Sequence, residues 1–371
     1  MSMARFFDRL SKLWHRLWFH SNRTPRPWVR RWVFDERLTP KPFWSWAVLD
    51  GAGHPRPGFA AWLQRARQNL PLGPQNPWLA ERQQVLSAPR HVRTVTVVCA
   101  PQTRFVAVML VHHLGQLGFD ACIQTGRPAG ESDAWVLVGA QGMFDLPPRD
   151  KRVVWQMEQS VSSRWFTDDY LNILANSLMV WDYATTNLAQ LARVGLPNEL
   201  LHHVPISPVP DPGQASPDDA AEAPAWDVLF YGDIKVDRRR RFLDALGAEF
   251  TLHIGTDLYG ESLAQALRQA RVVVNIHYYE NALLETTRLC ECLSHGARVV
   301  SEASSDMAEH GLYQPHVTFT PVGDVTAMVD AVRHALASTP APAADMAPLV
   351  SATARQLAAA VQTLGWKPHL A

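Results

Sequence analysis

Residues 271–302 read RVVVNIHYYENALLETTRLCECLSHGARVVSE, and this stretch decides the fold. The run 272–276 is rich in β-branched residues, too short for a helix and typical of a parallel strand that is buried on both faces. Helix formers follow in 282–295, Gly296 stands where a helix is expected to end, and 298–301 returns to a strand pattern. The order strand, loop, helix and strand predicts part of a parallel α/β sheet.

The predicted helix carries charged residues at every third position, namely Glu285, Arg288 and Glu291. At this spacing they spread over a sector of roughly 120°. A solvated face stabilised by Glu/Arg pairs is one explanation of this sector, and a binding site is the other. A different sector supplies the natural core face and consists of Thr286, Leu289 and Leu293.

The loop between the predicted strand and helix contains His277, Tyr278 and Glu280. It follows the carboxyl end of a parallel strand, where open α/β sheets bind their ligands. These three side chains are therefore candidate ligand contacts.

The composition is that of an ordinary soluble protein large enough for two domains, with 371 residues of which 47% are hydrophobic. Lys and Arg together number 35, as do Asp and Glu, which argues against a general nucleic-acid binder. The 4 cysteines show no metal-binding spacing and are too few for a disulfide framework, so we expect a reducing cytoplasm. The sequence has neither a run of ~18 apolar residues nor the apolar segment of a signal peptide.

The N-terminal arm, residues 1–90, is basic and rich in tryptophan: 8 of the 14 tryptophans precede residue 80. Apolar residues recur at helical spacing in 1–22 beside a basic stripe. Such a helix either lies on an anionic membrane surface or packs on the protein itself. The following Pro-rich stretch reads as irregular, serving as a docking surface or a wrap over a domain. Residues 51–58 indicate a turn rather than a phosphate-binding loop.

Strand and helix patterns alternate through 93–207, which predicts a doubly wound parallel sheet. No GxGxxG motif follows the first strand, so a dinucleotide-dependent dehydrogenase is disfavoured. Glu158 ends the strand pattern 151–158, at the edge where the cleft of such a sheet opens. It is a candidate general base or hydroxyl-orienting residue, with an exposed loop position as the alternative.

Residues 208–225, rich in Pro, Ala and Asp, predict a linker between two domains. A strand at 228–231 then runs into Gly232, and a helix is expected near residue 237 with Arg238 in its first turn. A glycine between strand and helix lets a phosphate approach the helix N-terminus. Of the four consecutive arginines 238–241, one or two could contact phosphate while the others are solvated.

Three segments resemble glycosyltransferases of the GT-B fold, most of all compact bacterial and viral members of the CgeB-like and family 1 types. They are WQMEQ at 155–159, VLFYGDIKVDRRRRFLDAL at 228–246 and NIHYYENALLETTRLCECLSHGARVVSE at 275–302. The resemblance implies two Rossmann-like, doubly wound parallel-sheet domains that face each other across a cleft. The predicted boundaries are arm 1–90, acceptor domain 91–207, linker 208–225, nucleotide-sugar donor domain 226–338, and a hinge with a C-terminal helix, 339–371.

The resemblance also implies a donor site. Glu291 matches the second glutamate of the family's E-x7-E pattern, which holds ribose or sugar hydroxyls, but Leu283 stands where the first glutamate is expected, so Glu280 or Glu285 would substitute. Arg288 would face phosphate. The full expected set is Glu158 and Glu285 as catalytic residues, and Gly232, Arg238, His277, Tyr278, Glu280, Arg288 and Glu291 as donor-binding residues.

No Asp-x-Asp dyad stands out, and the pairs His112-His113 and His202-His203 lack a third ligand at a suitable spacing. The sequence therefore predicts no metal and no cofactor, the leaving diphosphate being stabilised by basic side chains and a helix dipole.

The predicted function is transfer of a sugar from a nucleotide-sugar to a hydroxyl acceptor, in surface polysaccharide or glycolipid synthesis. The expected partners are the nucleotide-sugar, a saccharide or lipid-linked acceptor and an anionic membrane surface bound through residues 1–22, with no nucleic acid. The expected location is the cytoplasm, peripheral on the inner face of the membrane. Two alternatives stay open: a non-catalytic GT-B-like scaffold that binds a partner or membrane, and a nucleotide-sugar epimerase.

Overall fold

The computed structural model describes residues 17–19, 25–34, 38–69, 72–73, 76–143, 145–161, 165–209, 224–339 and 345–368. Apart from residues 17–19, the predicted helix within residues 1–22 lies outside these ranges, as does most of the predicted linker 208–225.

Two parallel sheets form the centre of the described fold, and a short third sheet pairs a strand at the start of the first domain with one near the C-terminus. The strands are β1 (Arg90–Val92), β2 (Thr94–Cys99), β3 (Asp120–Thr125), β4 (Ala134–Val138), β5 (Arg152–Gln156), β6 (Met179–Asp182), β7 (Leu201–His203), β8 (Trp226–Tyr231), β9 (Leu252–Gly255), β10 (Ala270–Asn275), β11 (Val299–Glu302), β12 (Val317–Thr320) and β13 (Trp366–Pro368).

Helices precede, connect and follow these strands. They are α1 (Pro27–Val33), α2 (Ser45–Val48), α3 (Pro57–Gln68), α4 (Trp78–Ser87), α5 (Arg104–Gln116), α6 (Asp168–Ala175), α7 (Thr185–Arg193), α8 (Asp237–Glu249), α9 (Glu261–Arg268), α10 (Thr286–Ser294), α11 (Val325–Ala337) and α12 (Ala347–Thr363).

The two-domain α/β prediction is confirmed. Within the described residues, the first sheet has the order β3-β2-β4-β5-β6-β7 and the second has the order β12-β11-β10-β8-β9, with every pairing parallel. The central strands β4, β5 and β6 are buried along their whole length, as expected for strands covered by helices on both faces. In each sheet the strand order reverses beside the first strand, which creates a crevice at the carboxyl ends.

The C-terminal helix α12 packs back on the first domain. The hydroxyl of Thr353 in α12 donates to the carbonyl of Pro205 at 3.0 Å, and β13 pairs with β1 in parallel register. The C-terminal segment, α12 and β13, therefore packs on the first domain.

The N-terminal arm is not irregular in its described part, because it consists of 15-residue units. The segments WHRLWFHSNRTPRPW (14–28), VRRWVFDERLTPKPF (29–43) and WSWAVLDGAGHPRPG (44–58) align without gaps, and each contains Pro-Arg-Pro or Pro-Lys-Pro. Proline is favourable in the first turn of a helix. Backbone N–H groups there have no hydrogen-bond partner within the helix, so a residue without an N–H breaks no helical bond.

The units repeat in structure as well as in sequence. The same antiparallel bridge occurs three times, as Phe19 with Pro25, Phe34 with Pro40, and Leu49 with Pro55. One bond also recurs, in which the backbone N–H of the basic residue in the Pro-basic-Pro triplet donates to a carbonyl eight residues earlier: Arg26 to Trp18, Lys41 to Val33, and Arg56 to Val48. The described arm is thus a short array of stacked units with its own apolar core, as in other repeat proteins.

The predicted turn within 51–58 is confirmed. Gly53 donates its N–H to the Asp50 carbonyl at 3.1 Å, and the Asp50 carboxylate accepts from the N–H groups of Ala52 and His54, each at 2.9 Å.

Helix α3 anchors the array to the first domain. Trp62 donates its indole N–H to Asp169 in the first turn of α6 at 3.1 Å, and the amide oxygen of Asn69 accepts from the Arg152 guanidinium at the start of β5. The first turn of α6 lies at the carboxyl edge of the sheet and Arg152 at its amino edge, so the chain runs between the two edges from residue 62 to residue 69. The repeat units, which precede residue 62, therefore lie toward the carboxyl edge.

Among the helices that can be described, none has the length and apolar character that crossing a bilayer requires.

Candidate functional site

A cavity of about 300 Å³ lies between the carboxyl ends of the two sheets. The first domain contributes Gln102, Met157, Gln159 and Tyr183, and the second contributes Tyr231, Gly232, Asp257, Leu258, Tyr259, Leu263, Glu285, Thr286, Thr287, Arg288 and Glu291. Four of the nine predicted site residues, Gly232, Glu285, Arg288 and Glu291, thus line one cavity. The first and last of these four residues, Gly232 and Glu291, are 59 positions apart in the sequence, and the pairing of parallel strands β8 and β10 brings them together.

A larger depression of about 630 Å³ lies at the opposite edge of the first sheet, near the amino ends of β2, β4 and β5. Loops and turn residues form it, among them Asp133, whose carboxylate accepts from the N–H groups of Arg93 and Thr94. Because α/β sheets bind ligands at their carboxyl ends, we assign the functional site to the smaller cavity in the cleft.

Helix α10 begins at Thr286, four residues later than the sequence predicts. The preceding backbone makes its hydrogen bonds elsewhere: Leu283 N–H donates to Gln159 Oε1 and Leu284 N–H donates to Asp306 Oδ1, each at 3.0 Å. Residues 282–284 therefore form a fixed loop, and Glu285 stands immediately before the helix at the edge of the cavity.

Glu285 binds two arginines, of which Arg288 lines the cavity and Arg239 is buried outside the lining. Its carboxylate lies 3.2 Å from Arg288 Nη2 and 3.4 Å from Arg239 Nη2, and His277 Nδ1 lies 3.6 Å away. Burial by itself would raise the pKa of Glu285, but the charges of Arg288 and Arg239 and the neighbouring imidazole hold that pKa well below its usual range. Glu285 is therefore a permanent anion, and the cluster of two guanidinium groups and one carboxylate carries an excess positive charge.

The Arg288 guanidinium is fixed on three sides. Its Nη1 donates to Asn275 Oδ1 at 3.2 Å, its Nη2 faces Glu285, and its Cζ lies 4.8 Å from the centre of the Tyr231 ring. Burial would lower the pKa of Arg288, whereas Glu285 and other groups raise it, and the net pKa lies above the ordinary value. Its Nε is buried and has no hydrogen-bond partner in the described part of the chain. Arg288 is thus charged, positioned and able to make a further bond.

Glu291 lies one turn beyond Arg288 along α10. Its pKa is shifted in the opposite direction from that of Glu285. Burial raises its pKa to about 7, and the positive charge of Arg288 only partly opposes this effect. Near neutral pH it is therefore poised between its neutral and ionised forms.

Gly232 connects β8 to the loop before α8 with a φ of +132°, a conformation that strongly favours glycine. A Cβ atom there would lie 3.2 Å from Arg288 Nη2 and 3.4 Å from Arg239 Nη1. The absence of a side chain at Gly232 therefore leaves room for the two guanidinium groups.

Arg238 differs from its predicted role, because it does not line the cavity. Its guanidinium forms a two-pronged ion pair with the buried carboxylate of Glu302, with Nη1 to Oε2 at 2.7 Å, and Nη1 also donates to the His277 carbonyl at 2.9 Å. The neighbouring Arg239 bonds Glu285 instead, and it too lies outside the cavity lining.

The predicted loop contacts also lie outside the cavity lining. His277 is fully buried beneath the cluster, with its N–H donated to Glu302 and its Nε2 placed 3.1 Å from the Ala303 carbonyl. Tyr278 lies over the Arg239 guanidinium at 5.3 Å, and Glu280 is exposed. These residues support or border the site rather than face the cavity.

Glu158 lies beyond the carboxyl end of β5 as predicted, but it is not among the residues that line the cavity. Gln141 donates to its carboxylate at 2.7 Å, and Asn187 donates to its backbone carbonyl at 3.0 Å. Its neighbours Met157 and Gln159 face the cleft instead.

Sequence analysis missed the contributions of the first domain. The side chain of Gln159 bonds both backbone groups of Leu283 across the cleft, donating to its carbonyl at 3.3 Å and accepting from its N–H at 3.0 Å. Gln159 directly follows the predicted strand 151–158 and ends the segment WQMEQ, but nothing in the sequence points to a partner 124 positions away. In the ranges that are described, no group of three potential metal-binding His, Cys, Asp or Glu side chains converges.

Residues 218–362 match the family described as Glycosyl transferase-like. The C-terminal unit is therefore similar to glycosyl transferase-like domains. The match contains β8 to β12 and therefore every cavity residue that the second sheet contributes, including Arg288 and Glu291. The two parallel sheets that flank this cleft agree with the predicted GT-B arrangement.

Solved structures similar to this chain are also glycosyltransferases or related synthases. They include HepE from Anabaena in complex with UDP and glucose (12% identity, 74% of this chain and 96% of that chain covered, TM-score 0.45). WaaG, a glycosyltransferase involved in lipopolysaccharide biosynthesis, has 12% identity, coverages of 72% and 95%, and a TM-score of 0.43. Sucrose-phosphate synthase from Thermosynechococcus elongatus has 12% identity, coverages of 74% and 96%, and a TM-score of 0.41. No curated protein sequence matches the chain.

Proposed function

We propose that the protein transfers a sugar from a nucleotide-sugar to a hydroxyl group of a saccharide or lipid-linked acceptor, in the synthesis of a surface polysaccharide or glycolipid. The observation that carries this proposal is the fixed, partly unpaired Arg288 guanidinium in a cleft wall of the glycosyl transferase-like domain.

The donor diphosphate is the part of the substrate that the cluster suits best. Arg288 and Arg239 carry two positive charges against the single negative charge of Glu285, so an entering anion gains favourable Coulomb energy in a partly desolvated site. A guanidinium with an open N–H recognises phosphate oxygens by charge-assisted hydrogen bonds. The side-chain-free backbone at Gly232 permits a close approach beside it.

Glu291 is the proposed acceptor for the ribose or sugar hydroxyls of the donor. A carboxylate accepts hydrogen bonds through two oxygens, and Glu291 is close enough to Arg288 in sequence and in space to contact the next part of the same ligand. Binding of hydroxyl donors favours the ionised form of Glu291, so we expect its pKa to fall when the donor binds.

We assign Glu285 a positioning role rather than the role of general base. A carboxylate whose pKa is held low by two guanidinium groups is a weak base, and both of its oxygens face arginines. Its function in this proposal is to aim Arg288. Glu158 receives no role at the reacting atoms, because Gln141 binds its carboxylate and the cavity lining does not include it.

In the proposed reaction the acceptor oxygen forms a bond to the anomeric carbon while the bond from that carbon to the diphosphate breaks. The diphosphate departs with the bonding electrons, and the proton of the acceptor hydroxyl passes to water. Arg288 stabilises the negative charge that develops on the leaving oxygen, which is the principal electrostatic demand of this step.

Release of nucleoside diphosphate from a panel of UDP-, GDP-, ADP- and dTDP-sugars tests the proposal, with and without added saccharide and lipid-linked acceptors. We expect one donor class to give release that increases with acceptor. Failure of every donor both to bind and to release nucleoside diphosphate would contradict the proposed activity. Matched reactions without protein measure spontaneous hydrolysis.

A further inference from the structure

The repeat array exposes aromatic side chains to an unusual degree. Among the residues that are described, all four exposed Trp and Phe side chains belong to it: Trp28 (38% exposed), Trp32 (62%), Phe43 (74%) and Trp46 (65%). Trp44 connects two of them, since its ring centroid lies 6.4 Å from that of Trp28 and 5.1 Å from that of Phe43. Four exposed aromatic side chains on one short segment of a protein surface indicate an interaction site.

The array is also positively charged, although the chain as a whole is neutral. Residues 17–58 contain seven Lys and Arg but three Asp and Glu, a net charge of +4 (7 − 3), whereas the whole chain has 35 of each. Two of the exposed cations lie directly beside the exposed aromatic groups. Lys41 donates to the Arg31 carbonyl at 3.2 Å, next to Trp32 in sequence, and Arg56 donates to the Trp46 carbonyl at 3.2 Å.

The architecture repeats this pairing of cation and aromatic group. Lys41 and Arg56 occupy the same position in consecutive 15-residue units, and each reaches back ten residues to a helical residue of its own unit. The basic groups are thus held near the aromatic side chains by the same bond in both units.

We propose that the repeat array, residues 17–58, docks on an anionic bilayer surface. Trp32, Phe43 and Trp46 would enter the interfacial region, where tryptophan is favoured, while Lys41 and Arg56 contact lipid phosphates. This surface is separate from the cleft and is assigned independently of the proposed sugar transfer.

A bilayer fits the surface better than other occupants do. A soluble polyanion would account for the basic residues but would leave Phe43, which has no polar group, in water. A second copy of the chain would bring two arrays of charge +4 together, which Coulomb repulsion opposes. An anionic bilayer satisfies both the aromatic groups and the cations.

The position of the array suits this role. The units lie toward the carboxyl edge of the first sheet, because Trp62 bonds Asp169 at that edge and Asn69 bonds Arg152 at the other. The cleft opens on the same edge. Docking through the array would therefore bring the acceptor side of the cleft near the lipid surface.

Flotation of the full-length protein with phosphatidylcholine vesicles, with and without phosphatidylglycerol, tests the proposal. We expect the parent to float only with phosphatidylglycerol and less so as salt is raised. The triple variant Trp32→Ser, Phe43→Ser, Trp46→Ser should lose about tenfold or more in apparent vesicle affinity. The matched control replaces three exposed apolar residues elsewhere, Val194→Ser, Leu312→Ser and Val322→Ser, and should float like the parent.

Circular dichroism and thermal melting establish that both triple variants are folded, and a variant that restores aromatic character, Trp32→Phe with Trp46→Phe, should regain most of the flotation. Equal flotation of the parent and the first triple variant would overturn the proposal. So would binding of the parent to dextran sulfate without flotation, or a vesicle-independent dimer that the first triple variant abolishes. Nucleoside-diphosphate release by that variant with a soluble acceptor should match the parent, which separates this inference from the proposed activity.

Discussion

Replacement of Glu302 by alanine is expected to lower the free energy of unfolding by about 3–5 kcal/mol, because it leaves a buried arginine without its counter-charge. The Glu302 carboxylate is fully buried and accepts from both terminal nitrogens of Arg238, from the His277 N–H at 2.9 Å and from the Gly323 N–H at 2.8 Å. Removing it unpairs one charge and two backbone donors at once. Urea unfolding followed by circular dichroism measures the change.

The matched control is Asp330→Ala, which removes a carboxylate from an exposed ion pair with Arg333. Exposed pairs contribute about 0–1 kcal/mol, so this variant should unfold close to the parent. If the Glu302→Ala protein were as stable as the Asp330→Ala protein, the buried Arg238–Glu302 pair would not make the expected contribution to the free energy of unfolding.

The second large effect concerns Glu291, where stability and ligand binding should change in opposite directions. In the folded protein its pKa is raised from 4.5 to about 7, so it ionises less readily than in the unfolded chain. The unfolded chain therefore releases this proton first, and the free energy of unfolding falls as pH rises from about 4.5 to about 7. Glu291→Gln removes this penalty and should stabilise the protein at pH values above that window by up to about 3 kcal/mol.

The stability difference between Glu291→Gln and the parent should vanish below the same window, where both side chains are neutral. Urea unfolding across the pH range measures it. If the variant were no more stable than the parent above about pH 7, burial would not disfavour the ionised form of Glu291.

Donor binding should respond in the other direction. The ionised form is the proposed acceptor of donor hydroxyls, so the parent should bind a nucleoside diphosphate more weakly as pH falls below about 7. Glu291→Gln should bind more weakly at neutral pH and lack this part of the pH dependence. The ligand's own titration affects both proteins equally, so the difference between their pH profiles isolates Glu291.

The fold of the two domains could be predicted from the sequence because its signals are local. The β-branched run of β10, the helix formers of α10 and the left-handed Gly296 lie in consecutive segments, and each predicts its own structure. Two parallel sheets then follow from the alternation of strands and helices.

The structure of the arm was missed for a different reason. Frequent prolines favour an irregular chain when each is considered alone, but their period of 15 residues marks helix starts at Pro27, Pro42 and Pro57. Proline at a first helical position is favourable, so the same residues that suggest a loop also define the repeat. Comparing the sequence with itself was the signal that could have revealed it.

The site could be predicted only in part, because side-chain direction depends on distant partners. Arg238 and Arg239 are equivalent by sequence, yet Arg238 is bound by Glu302 at a separation of 64 residues and Arg239 by Glu285 at a separation of 46. A helix places adjacent side chains about 100° apart, and the position of each counter-charge decides which arginine lies beside Glu285. Pattern analysis supplies the helix turn but not these partners.

Isothermal titration with UDP, GDP, ADP and dTDP tests the central claim most directly, namely that Arg288 binds a donor diphosphate in the cleft. The parent should bind at least one of them, Arg288→Ala should lose about 2 kcal/mol of binding free energy, about 30-fold in Kd, and Arg288→Lys should lie between the two. Arg333→Ala, which removes an exposed guanidinium remote from the cavity lining, should bind like the parent. Absence of binding to all four ligands by the folded parent, or unchanged affinity in a folded Arg288→Ala protein, would contradict the account.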